Sequence, residues 1–261
     1  MSFTNENFRL DGKVAIVTGA GGRGNSIGRA YAFGLGNAGA SVVVADLNEA
    51  GAQSVADEII AAGGKAIAVR VDITDRAAVA AMVEAATAAF GGVDILVNNA
   101  ALMVEIVGTP ACQISTEDLN KALAVNLHGA LNCAQAVVPS MASRGGGRIV
   151  NQLSAGAFPA QTVYGITKVA LLGLTTTLAT ELGSQNITVN AIAPGMTKSD
   201  AGLALTPDDS PLVAYVEART PIHGRDDPDA LVGALIMLVS DAGRWMTGQA
   251  INVDGGWVMR N

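Results

Sequence analysis

The chain has 261 residues, of which half are hydrophobic and 4% are aromatic, and it carries a formal net charge of -7. This length suffices for a sizeable core in a single α/β domain, filled mainly by alanine, valine, leucine and isoleucine. The acidic balance argues against nucleic acid or an anionic membrane as a partner, and no uninterrupted apolar run approaches membrane-spanning length, so we expect a soluble, cytoplasmic protein.

The first strongly patterned stretch, from Val14 to Gly36, predicts a strand, a glycine-rich loop and a helix. Residues 14–17 are typical of a strand buried on both faces, and four glycines follow within residues 19–24. From Ser26 onward, apolar residues recur with the helical period. This order places a helix N-terminus and bare backbone N–H groups against a diphosphate, so it predicts a dinucleotide site; an ordinary glycine-rich turn is the alternative.

Strands and helices alternate along the rest of the chain. The further predicted strands are residues 41–45, 65–71, 94–97, 148–151, 187–192 and 250–253. Alternation of this kind predicts an α/β fold, a doubly wound parallel sheet of about seven strands with helices on both faces. No linker, repeat or low-complexity segment divides the sequence, so residues 1–261 are expected to form a single domain.

Acidic residues stand at the ends of two predicted strands. Asp46 follows the second strand roughly 20 residues beyond the glycine loop, where a carboxylate can accept both hydroxyls of an adenosine ribose and repel a 2′-phosphate. A turn or helix-capping role before Asn48 is the alternative. Asp72 closes the third strand, and Thr74 is predicted to cap the helix over residues 75–90.

Two long predicted helices, over residues 117–141 and 164–183, lack a wide polar face. Helices that are apolar all round are buried all round, so their outer sides are expected to contact another subunit. Residues 199–210 are the least regular stretch, and they predict a mobile substrate lid over about residues 197–222; a surface insertion is the alternative. Cys112 and Cys133 are expected to be buried, reduced thiols, and no spacing of cysteine or histidine indicates a metal site.

The sharpest chemical signal is Tyr164 followed four residues later by Lys168 at a predicted helix start. This spacing places the phenol and the ammonium on one helix face. A tyrosine acts as a base near neutral pH only if its pKa falls from about 10 by two or three units, at roughly 1.4 kcal/mol each. One ammonium at about 4 Å in an effective dielectric of about 20 supplies about 4 kcal/mol, so Lys168 is expected to lower the pKa of Tyr164. A solvated lysine on an amphipathic helix start is the alternative.

These features occur together with several short motifs in a fixed order. In chain order they are Thr18-Gly19, Asp46, Asp72, NNAA over residues 98–101, Asn126, Ser154, Tyr164, Lys168, Pro194-Gly195 and TGQAINVDGG over residues 247–256. Over essentially its whole length the sequence resembles the short-chain dehydrogenase/reductase family, in the branch of similar chain length. The resemblance implies a Rossmann-type fold, a nicotinamide dinucleotide cofactor and a homotetramer.

The resemblance implies four catalytic residues. Tyr164 would exchange a proton with the substrate oxygen while hydride moves to or from the nicotinamide. Lys168 would lower the pKa of Tyr164 and hold the nicotinamide ribose. Ser154 would bind the substrate oxygen, and Asn126 would hold a water that links Lys168 to solvent.

The resemblance also implies a set of cofactor contacts, in which Asp46 resembles the acidic residue that selects NAD over NADP. The implied cofactor-binding residues are Gly19, Ser26, Ile27, Gly28, Asp46, Leu47, Asp72, Ile73, Asn99, Ala100, Tyr164, Lys168, Pro194, Gly195 and Thr197. The glycine loop departs from the family pattern, since about three extra residues precede Ser26, which stands where the middle glycine would be.

The expected function is NAD-dependent oxidation of a secondary alcohol, or reduction of its ketone. The residues that the family pattern places around the nicotinamide are Leu102, Met103, Val104, Ala155, Gly156, Ala157, Phe158, Val163 and Met196. They include no arginine or lysine that could pair with a charged substrate. An uncharged, largely apolar alcohol or ketone, cyclic or aromatic, is therefore expected.

Three alternatives remain open at the level of the sequence. In an NADP-dependent 3-oxoacyl thioester reductase, Arg23 would meet the 2′-phosphate, although Leu47 and Asn48 offer no basic partner beside Asp46. A non-catalytic dinucleotide-binding protein is disfavoured because the residue types of all four catalytic positions are retained. An enoyl reductase ranks third, since related enzymes with a Ser-Ile pair before the helix space their tyrosine and lysine more widely.

Overall fold

The structure is a computed structural model that describes residues 3–22 and 24–259. Its centre is a seven-stranded parallel sheet with the strand order β3-β2-β1-β4-β5-β6-β7, which confirms the doubly wound α/β fold expected from the sequence. The strands are β1 (Val14–Thr18), β2 (Ser41–Asp46), β3 (Lys65–Arg70), β4 (Ile95–Asn98), β5 (Gly147–Gln152), β6 (Ile187–Pro194) and β7 (Ala250–Val253). The strand order reverses between β1 and β4, and ligands of open α/β sheets bind at the carboxyl edge of such a switch point.

Helices cover both faces of the sheet. The helices are α1 (Ile27–Asn37), α2 (Glu49–Ala61), α3 (Arg76–Phe90), α4 (Thr116–Leu123), α5 (Ala130–Ser143), α6 (Val163–Leu182), α7 (Asp200–Leu205), α8 (Pro211–Glu217) and α9 (Val232–Val239). Alternate side chains of each central strand enter different cores, because successive residues of a strand point to opposite faces. Val17 of β1 lies in a core with Leu35 of α1 and Leu235 of α9, whereas Ile16 lies in the opposite core with Met82 of α3.

The long helix predicted over residues 117–141 is interrupted. It divides into α4 and α5, separated by one stretch of π-helix over Ala124–Gly129. The wider turn carries Asn126, whose buried side chain bonds both backbone groups of Leu102. A π-helical turn does not alter the apolar composition of the stretch, so the residue pattern alone indicated one continuous helix. Such turns are frequent at functional sites.

Residues 199–210, predicted to be irregular, contain helix α7 and lead directly into α8. Ser199 caps α7 by accepting a hydrogen bond from the backbone of Gly202, and Ser210 caps α8 in front of Pro211. These capping residues explain why a stretch rich in small and polar residues is helical.

Two smaller expectations are also wrong. The residue that caps α3 is Asp75, which accepts from the backbone of Ala77 and Ala78, whereas Thr74 donates its hydroxyl to Asp72. Only Cys133 is a buried thiol, with its pKa raised to about 12 by burial, and Cys112 is exposed.

Helix α6 and the turn that follows it, Val163–Gln185, are apolar and long enough to cross a membrane by length and composition. Half of an 18-residue apolar segment of this stretch is nevertheless buried inside the protein, where α6 packs on β6. This is the arrangement of a helix that belongs to a protein core.

Candidate active site

Helix α6 brings Tyr164 and Lys168 together at the carboxyl edge of the sheet. Thr162 fixes the helix start, because its hydroxyl accepts a hydrogen bond of 3.0 Å from the backbone of Gly165. Tyr164 lies in the first turn, and Lys168 lies one turn later with its Nζ 5.3 Å from the centroid of the phenol ring. The i, i+4 spacing therefore places the two groups as the sequence indicated.

The Lys168 ammonium is held away from solvent. Its side chain is 1% exposed, and Nζ donates a hydrogen bond of 2.7 Å to the backbone carbonyl of Gln152 at the end of β5. Burial disfavours the charged form and lowers the pKa of Lys168 to about 7. An amine with this pKa exchanges its proton in the range where enzymes work, which is typical of functional sites.

The expected lowering of the Tyr164 pKa is not found in the chain alone. Burial raises the pKa of Tyr164 above its ordinary value, because the phenolate would be poorly solvated. A fully charged ammonium at about 4 Å would lower the pKa of Tyr164, whereas desolvation of the phenolate, which the spacing of the two residues does not show, raises it. In the chain alone, burial therefore favours the protonated phenol of Tyr164.

Ser154 lies two residues beyond the end of β5, at the same edge as Tyr164. Its Oγ accepts a hydrogen bond of 3.1 Å from the backbone of Gly156, which leaves its own hydroxyl proton available to another acceptor. The turn that contains Ser154 approaches α6 closely, since a Cβ on Gly165 would come within 2.7 Å of the Gly156 carbonyl. The glycine therefore allows the serine turn to lie against the tyrosine turn.

Asn126 stabilises the same edge through its side chain. Its Oδ1 accepts from the backbone N–H of Leu102 at 2.7 Å, and its Nδ2 donates to the Leu102 carbonyl and to Thr167 Oγ1. Thr167, completely buried, donates in turn to the backbone carbonyl of Tyr164. These bonds tie the side-chain amide of Asn126 to Leu102 and Thr167, and its expected role in holding a water stays a prediction.

The glycine loop after β1 is pressed against the end of β4. Gly19 has φ of +66°, and a Cβ there would lie 2.7 Å from Ala100 Cα. The amide of Asn99 donates to the carbonyls of Thr18 and Gly19, and a Cβ on Gly28 would overlap Gly19 O. This close contact requires glycine at both positions, and it leaves the N-terminus of α1 facing the switch point.

Ser26 is the residue that caps α1. Its Oγ accepts from the backbone of Arg29 at 3.2 Å, and Ile27 is the first residue of the helix. The departure from the glycine-rich pattern is therefore compensated by a capping hydroxyl, and backbone N–H groups remain at the helix N-terminus for an anion.

Asp46 has the turn role that the sequence left open as the alternative. Its Oδ2 accepts from Gly21 N and its Oδ1 accepts from Asn48 N, each at 2.8 Å, so it links the glycine loop to the turn after β2. An ionised carboxylate has about four lone-pair sites, so the two oxygens retain acceptor capacity for ribose hydroxyls. The residues present thus fit a dinucleotide with a free adenosine ribose.

The residues that follow β2 and β3 form the rest of this part of the sheet edge. Leu47 is 59% exposed, and Asp72 is exposed with its pKa lowered mainly by the hydroxyl of Thr74. Ile73, in contrast, is buried and fills the space beside Gly129. Its side chain therefore presents little surface to a ligand, and only its main chain remains for the predicted contact.

The segment after β6 is anchored to the C-terminal part of the chain. Gly195 donates its backbone N–H to Val253, and a Cβ on it would come within 2.8 Å of Asp254 Cα. Pro194 accepts from the backbone of Ala155, beside Ser154. The carbonyl of Thr197 accepts from the buried guanidinium of Arg225. These bonds fix the start of the predicted lid.

The inserted part of the glycine loop contacts this predicted lid, which no sequence signal indicated. Asn25 and Asp200 are bonded reciprocally: Asn25 N donates to Asp200 Oδ2 at 3.1 Å, and Asp200 N donates to Asn25 O at 2.9 Å. The Asn25 amide also donates to the carbonyl of Lys198 and to Asp227. Arg23, the candidate partner for a 2′-phosphate, lies outside the described residues.

The expected apolar substrate surface is smaller than the sequence indicated. Ala155, Ala157 and Val163 are buried in the protein, and Phe158 packs against the core cluster around Leu171. The residues of the set that retain exposure are Leu102, Met103, Val104, Gly156, Phe158 and Met196. This remaining surface still carries no cationic side chain.

Known families and proteins resemble the chain over nearly its full length. A family profile described as Enoyl-(Acyl carrier protein) reductase matches residues 22–258. An uncharacterised oxidoreductase of Mycobacterium tuberculosis is 46% identical over 252 residues, 97% of this chain and 100% of that protein. The 3-oxoacyl-(acyl-carrier-protein) reductase of Thermotoga maritima is 34% identical over 96% of this chain and 100% of its own length. The 7alpha-hydroxysteroid dehydrogenase of Escherichia coli is 38% identical over 98% of each chain.

Solved structures share the fold. A 7 alpha-hydroxysteroid dehydrogenase complexed with NADH and 7-oxo glycochenodeoxycholic acid has a TM-score of 0.90 at 37% identity and covers 98% of both chains. A gluconate 5-dehydrogenase from Burkholderia cenocepacia in complex with NADP and tartrate has a TM-score of 0.89 at 35% identity and covers 97% of both chains. These two similar proteins therefore bind a nicotinamide dinucleotide, in one case NADH and in the other NADP.

Proposed function

The chain belongs to the short-chain dehydrogenase/reductase family of oxidoreductases, and from this premise we propose that it interconverts a secondary alcohol and its ketone by hydride transfer with NAD. The observation that carries the proposal is the pairing of the half-buried Tyr164 with the buried Lys168 at the carboxyl edge of the sheet, beside the serine turn. A catalytic constellation on helix and strand ends is held more rigidly than one on loops.

The bound cofactor would supply hydride acceptance and donation, and the side chains would manage the proton and the orientation. Tyr164, kept protonated by burial, donates its proton to the oxygen of a ketone being reduced. In the oxidative direction the phenol must lose that proton first, and any added positive charge favours the phenolate. Ser154 has a free hydroxyl proton with which to bind the same substrate oxygen.

Lys168 and Asn126 hold the cofactor and Tyr164 in place. The Lys168 ammonium has three donors, of which one is used by the Gln152 carbonyl, so two remain for the ribose next to the nicotinamide. Asn126 fixes the π-helical turn to Leu102 and, through Thr167, to the carbonyl of Tyr164. Its loss is therefore expected to displace the tyrosine.

We propose NAD as the preferred cofactor because of the environment of the proposed adenosine ribose site. Asp46 is acidic, and the adjacent Leu47 and Asn48 offer no cation to a 2′-phosphate. The proposed binding set comprises Gly19, Ser26, Ile27, Gly28, Asp46, Leu47, Asp72, the main chain of Ile73, Asn99, Ala100, Tyr164, Lys168, Pro194, Gly195 and Thr197. The backbone N–H groups at the start of α1 would bind the diphosphate.

The proposed substrate is an uncharged, largely apolar alcohol or ketone, cyclic or aromatic. Its support is the half-buried apolar set around Leu102, Met103 and Met196, and the similarity to a hydroxysteroid dehydrogenase. Lys198, the nearest cation in the sequence, is exposed, and its backbone groups bond Asp226 and Asn25. A charged substrate group would therefore lie unpaired in this pocket, which costs several kcal/mol. We treat residues 1–261 as one catalytic domain and residues 197–222 as its lid.

A thioester reductase with NADP is the second candidate. The similarity to the 3-oxoacyl-(acyl-carrier-protein) reductase of Thermotoga maritima and the acyl-carrier description of the matching profile favour it. The acidic Asp46 and the absence of a cation among the substrate-facing residues in the described part of the chain argue against it.

We further propose a cytoplasmic homotetramer. Helix α6 exposes Ile166 (48%) and Val169 (43%), which lie on the side of the helix opposite its core contacts. Burial of such a face in a subunit contact removes apolar area from water at about 25 cal/mol per Å². Light scattering at micromolar concentration that reports a single 26.3 kDa species would refute the oligomer.

The substrate proposal is tested by a panel of compounds assayed with NAD and with NADP at mildly alkaline pH. The panel contains cyclic and aryl secondary alcohols, 3-hydroxyacyl thioesters and hydroxy acids. We expect the highest kcat/KM for an uncharged cyclic or aryl alcohol with NAD. A higher kcat/KM for a thioester with NADP selects the second candidate instead.

A further inference from the structure

Two buried polar side chains, Tyr31 and Gln152, form a hydrogen-bonded pair next to the candidate active site. Tyr31 of α1 is completely buried, and its hydroxyl donates a hydrogen bond of 2.7 Å to Oε1 of Gln152, the last residue of β5. Gln152 is itself only 5% exposed. The strand position of Gln152 faces α1, on the side of the sheet where β5 otherwise contributes the apolar Val150 to the core.

One hydrogen-bond donor of this pair, Nε2 of Gln152, has no partner among the described residues and is directed away from Tyr31. A completely buried phenol must find an acceptor, and Gln152 is its only partner among the described residues, so Oε1 must face Tyr31. Nε2 then points the other way. Within residues 3–22 and 24–259 no group accepts a hydrogen bond from Nε2, and the atom is not among those fully removed from solvent.

Gln152 also touches the catalytic pair through its main chain. Its carbonyl accepts the hydrogen bond from Lys168 Nζ, and Ser154 follows two residues later. The residue therefore belongs to the wall at which the proposed function places the nicotinamide half of the cofactor. The two remaining donors of Lys168 match the hydroxyls of the ribose, and the carboxamide oxygen of the adjoining ring is an acceptor that a neutral amide donor can bind.

We propose that Gln152 is a further cofactor-binding residue, which donates from Nε2 to the carboxamide oxygen of the nicotinamide, and that Tyr31 is a positioning residue that fixes the amide for this contact. The inference rests on the proposed function, since it requires a nicotinamide at this site. It concerns a side chain for which the family resemblance of the sequence gave no role.

The first test measures the affinity of the full-length protein for NADH by calorimetry in four proteins. They are the wild type, Gln152→Met, Tyr31→Phe and the double variant. Loss of one net hydrogen bond raises the dissociation constant about three- to tenfold, so we expect this increase for Gln152→Met and a smaller one for Tyr31→Phe. Because Tyr31 acts only through Gln152, the double variant should match Gln152→Met alone.

A control removes a part-buried hydrogen bond at the opposite edge of the sheet. Ser140 accepts from the backbone of Val93 before β4, so Ser140→Ala should leave NADH affinity unchanged. Thermal unfolding of each variant shows whether it is folded. If Gln152→Met proves unstable, Tyr31→Phe remains as the test, because it removes only one oxygen atom. Independent effects of Tyr31→Phe and Gln152→Met that multiply in the double variant overturn the positioning role.

The second test identifies the group on the cofactor. Sulfur is a weak acceptor, so replacing the carboxamide by a thioamide weakens a hydrogen bond to this atom. We expect the wild type to prefer NAD over its thionicotinamide analogue, and Gln152→Met to lose most of that preference. An equal preference in both proteins, or unchanged NADH affinity in Gln152→Met, overturns the inference alone. A wild type that binds neither nucleotide overturns the proposed function as well.

Discussion

Two parts of the carboxyl edge are held together in different ways. Around β5 and α6 the polar side chains are buried and hydrogen-bonded within the protein: Lys168, Gln152, Asn126 and Thr167 are all 5% exposed or less. Between the glycine loop and α7 the contacts are made by exposed residues, chiefly Asn25 and Asp200, on a loop and a six-residue helix.

The difference indicates a division of labour within one site. Buried hydrogen bonds to regular elements hold chemical groups in one geometry, as proton transfer requires. Exposed contacts open at a small cost in free energy, which suits a segment that must admit and release ligands. We therefore expect substitutions in the first region to change the chemical step and those in the second to change binding and release.

The largest expected effect follows from Tyr164→Phe, which removes the proton-transfer group of the rigid region. Turnover should fall to the background, whereas NADH affinity should stay close to that of the wild type, because the ring is retained. Steady-state kinetics and NADH titration on the same preparation check both parts. Activity above a few per cent of the wild type in the pure variant contradicts the role of Tyr164.

The next effect concerns Lys168 and pH. Because the folded-state pKa of Lys168 is lowered to about 7, the unfolded chain binds more protons between pH 7 and about 10, and stability of the cofactor-free protein should rise with pH across that window. The amine is charged in both states below pH 7, where its burial costs on the order of a few kcal/mol. Lys168→Met should remove this slope.

Denaturant unfolding of the two cofactor-free proteins at several pH values measures that slope directly. The same variant should lose turnover by a factor on the order of a hundred or more, since the proton and ribose contacts are lost together. A pH–stability curve that is equally steep in wild type and Lys168→Met would mean that the lysine is charged and solvated in the folded protein.

Asp46 lies between the two regions, because its carboxylate holds the glycine loop to the turn after β2. Asp46→Asn keeps one acceptor oxygen and removes the negative charge. The ratio of kcat/KM for NAD to that for NADP should therefore fall by about tenfold or more, as like-charge repulsion costs several kcal/mol. A wild type that already favours NADP would show that another group outweighs Asp46.

The smallest effect is expected in the exposed region. Asn25→Ala removes the amide that donates to the Lys198 carbonyl and to Asp227. The NADH dissociation rate should rise by only about two- to fivefold, because an exposed contact contributes little free energy. The melting temperature and the rate of the chemical step should stay unchanged. Asp209→Asn, an exposed acid between α7 and α8, serves as the control. A change in the chemical step without a change in NADH release would contradict the division of labour.

The sequence indicated those residues whose place follows from a local rule. Asp46 was found because it follows a strand that ends at the ligand-binding edge, and Tyr164 and Lys168 because i, i+4 residues share a helix face, whereas Ser154 was found through the family resemblance. The parallel sheet followed from the alternation of elements alone.

The remaining features depend on contacts between distant segments. The acceptor for Lys168 is a main-chain carbonyl of Gln152, which no side-chain pattern reveals. The bonds between Asn25 and Asp200 join residues 175 positions apart. The rise in the Tyr164 pKa comes from burial, a property of the packed structure that a spacing of four residues does not contain.

The most direct measurement follows a deuterium atom at the carbinol carbon of the best alcohol in the panel. The wild-type protein is incubated with this alcohol and NAD, and the mass of the isolated nucleotide is measured by mass spectrometry. The account predicts one deuterium in the NADH for each ketone formed, because the hydride moves directly between substrate and cofactor. Ketone formation with unlabelled NADH, or without reduction of NAD, would contradict it.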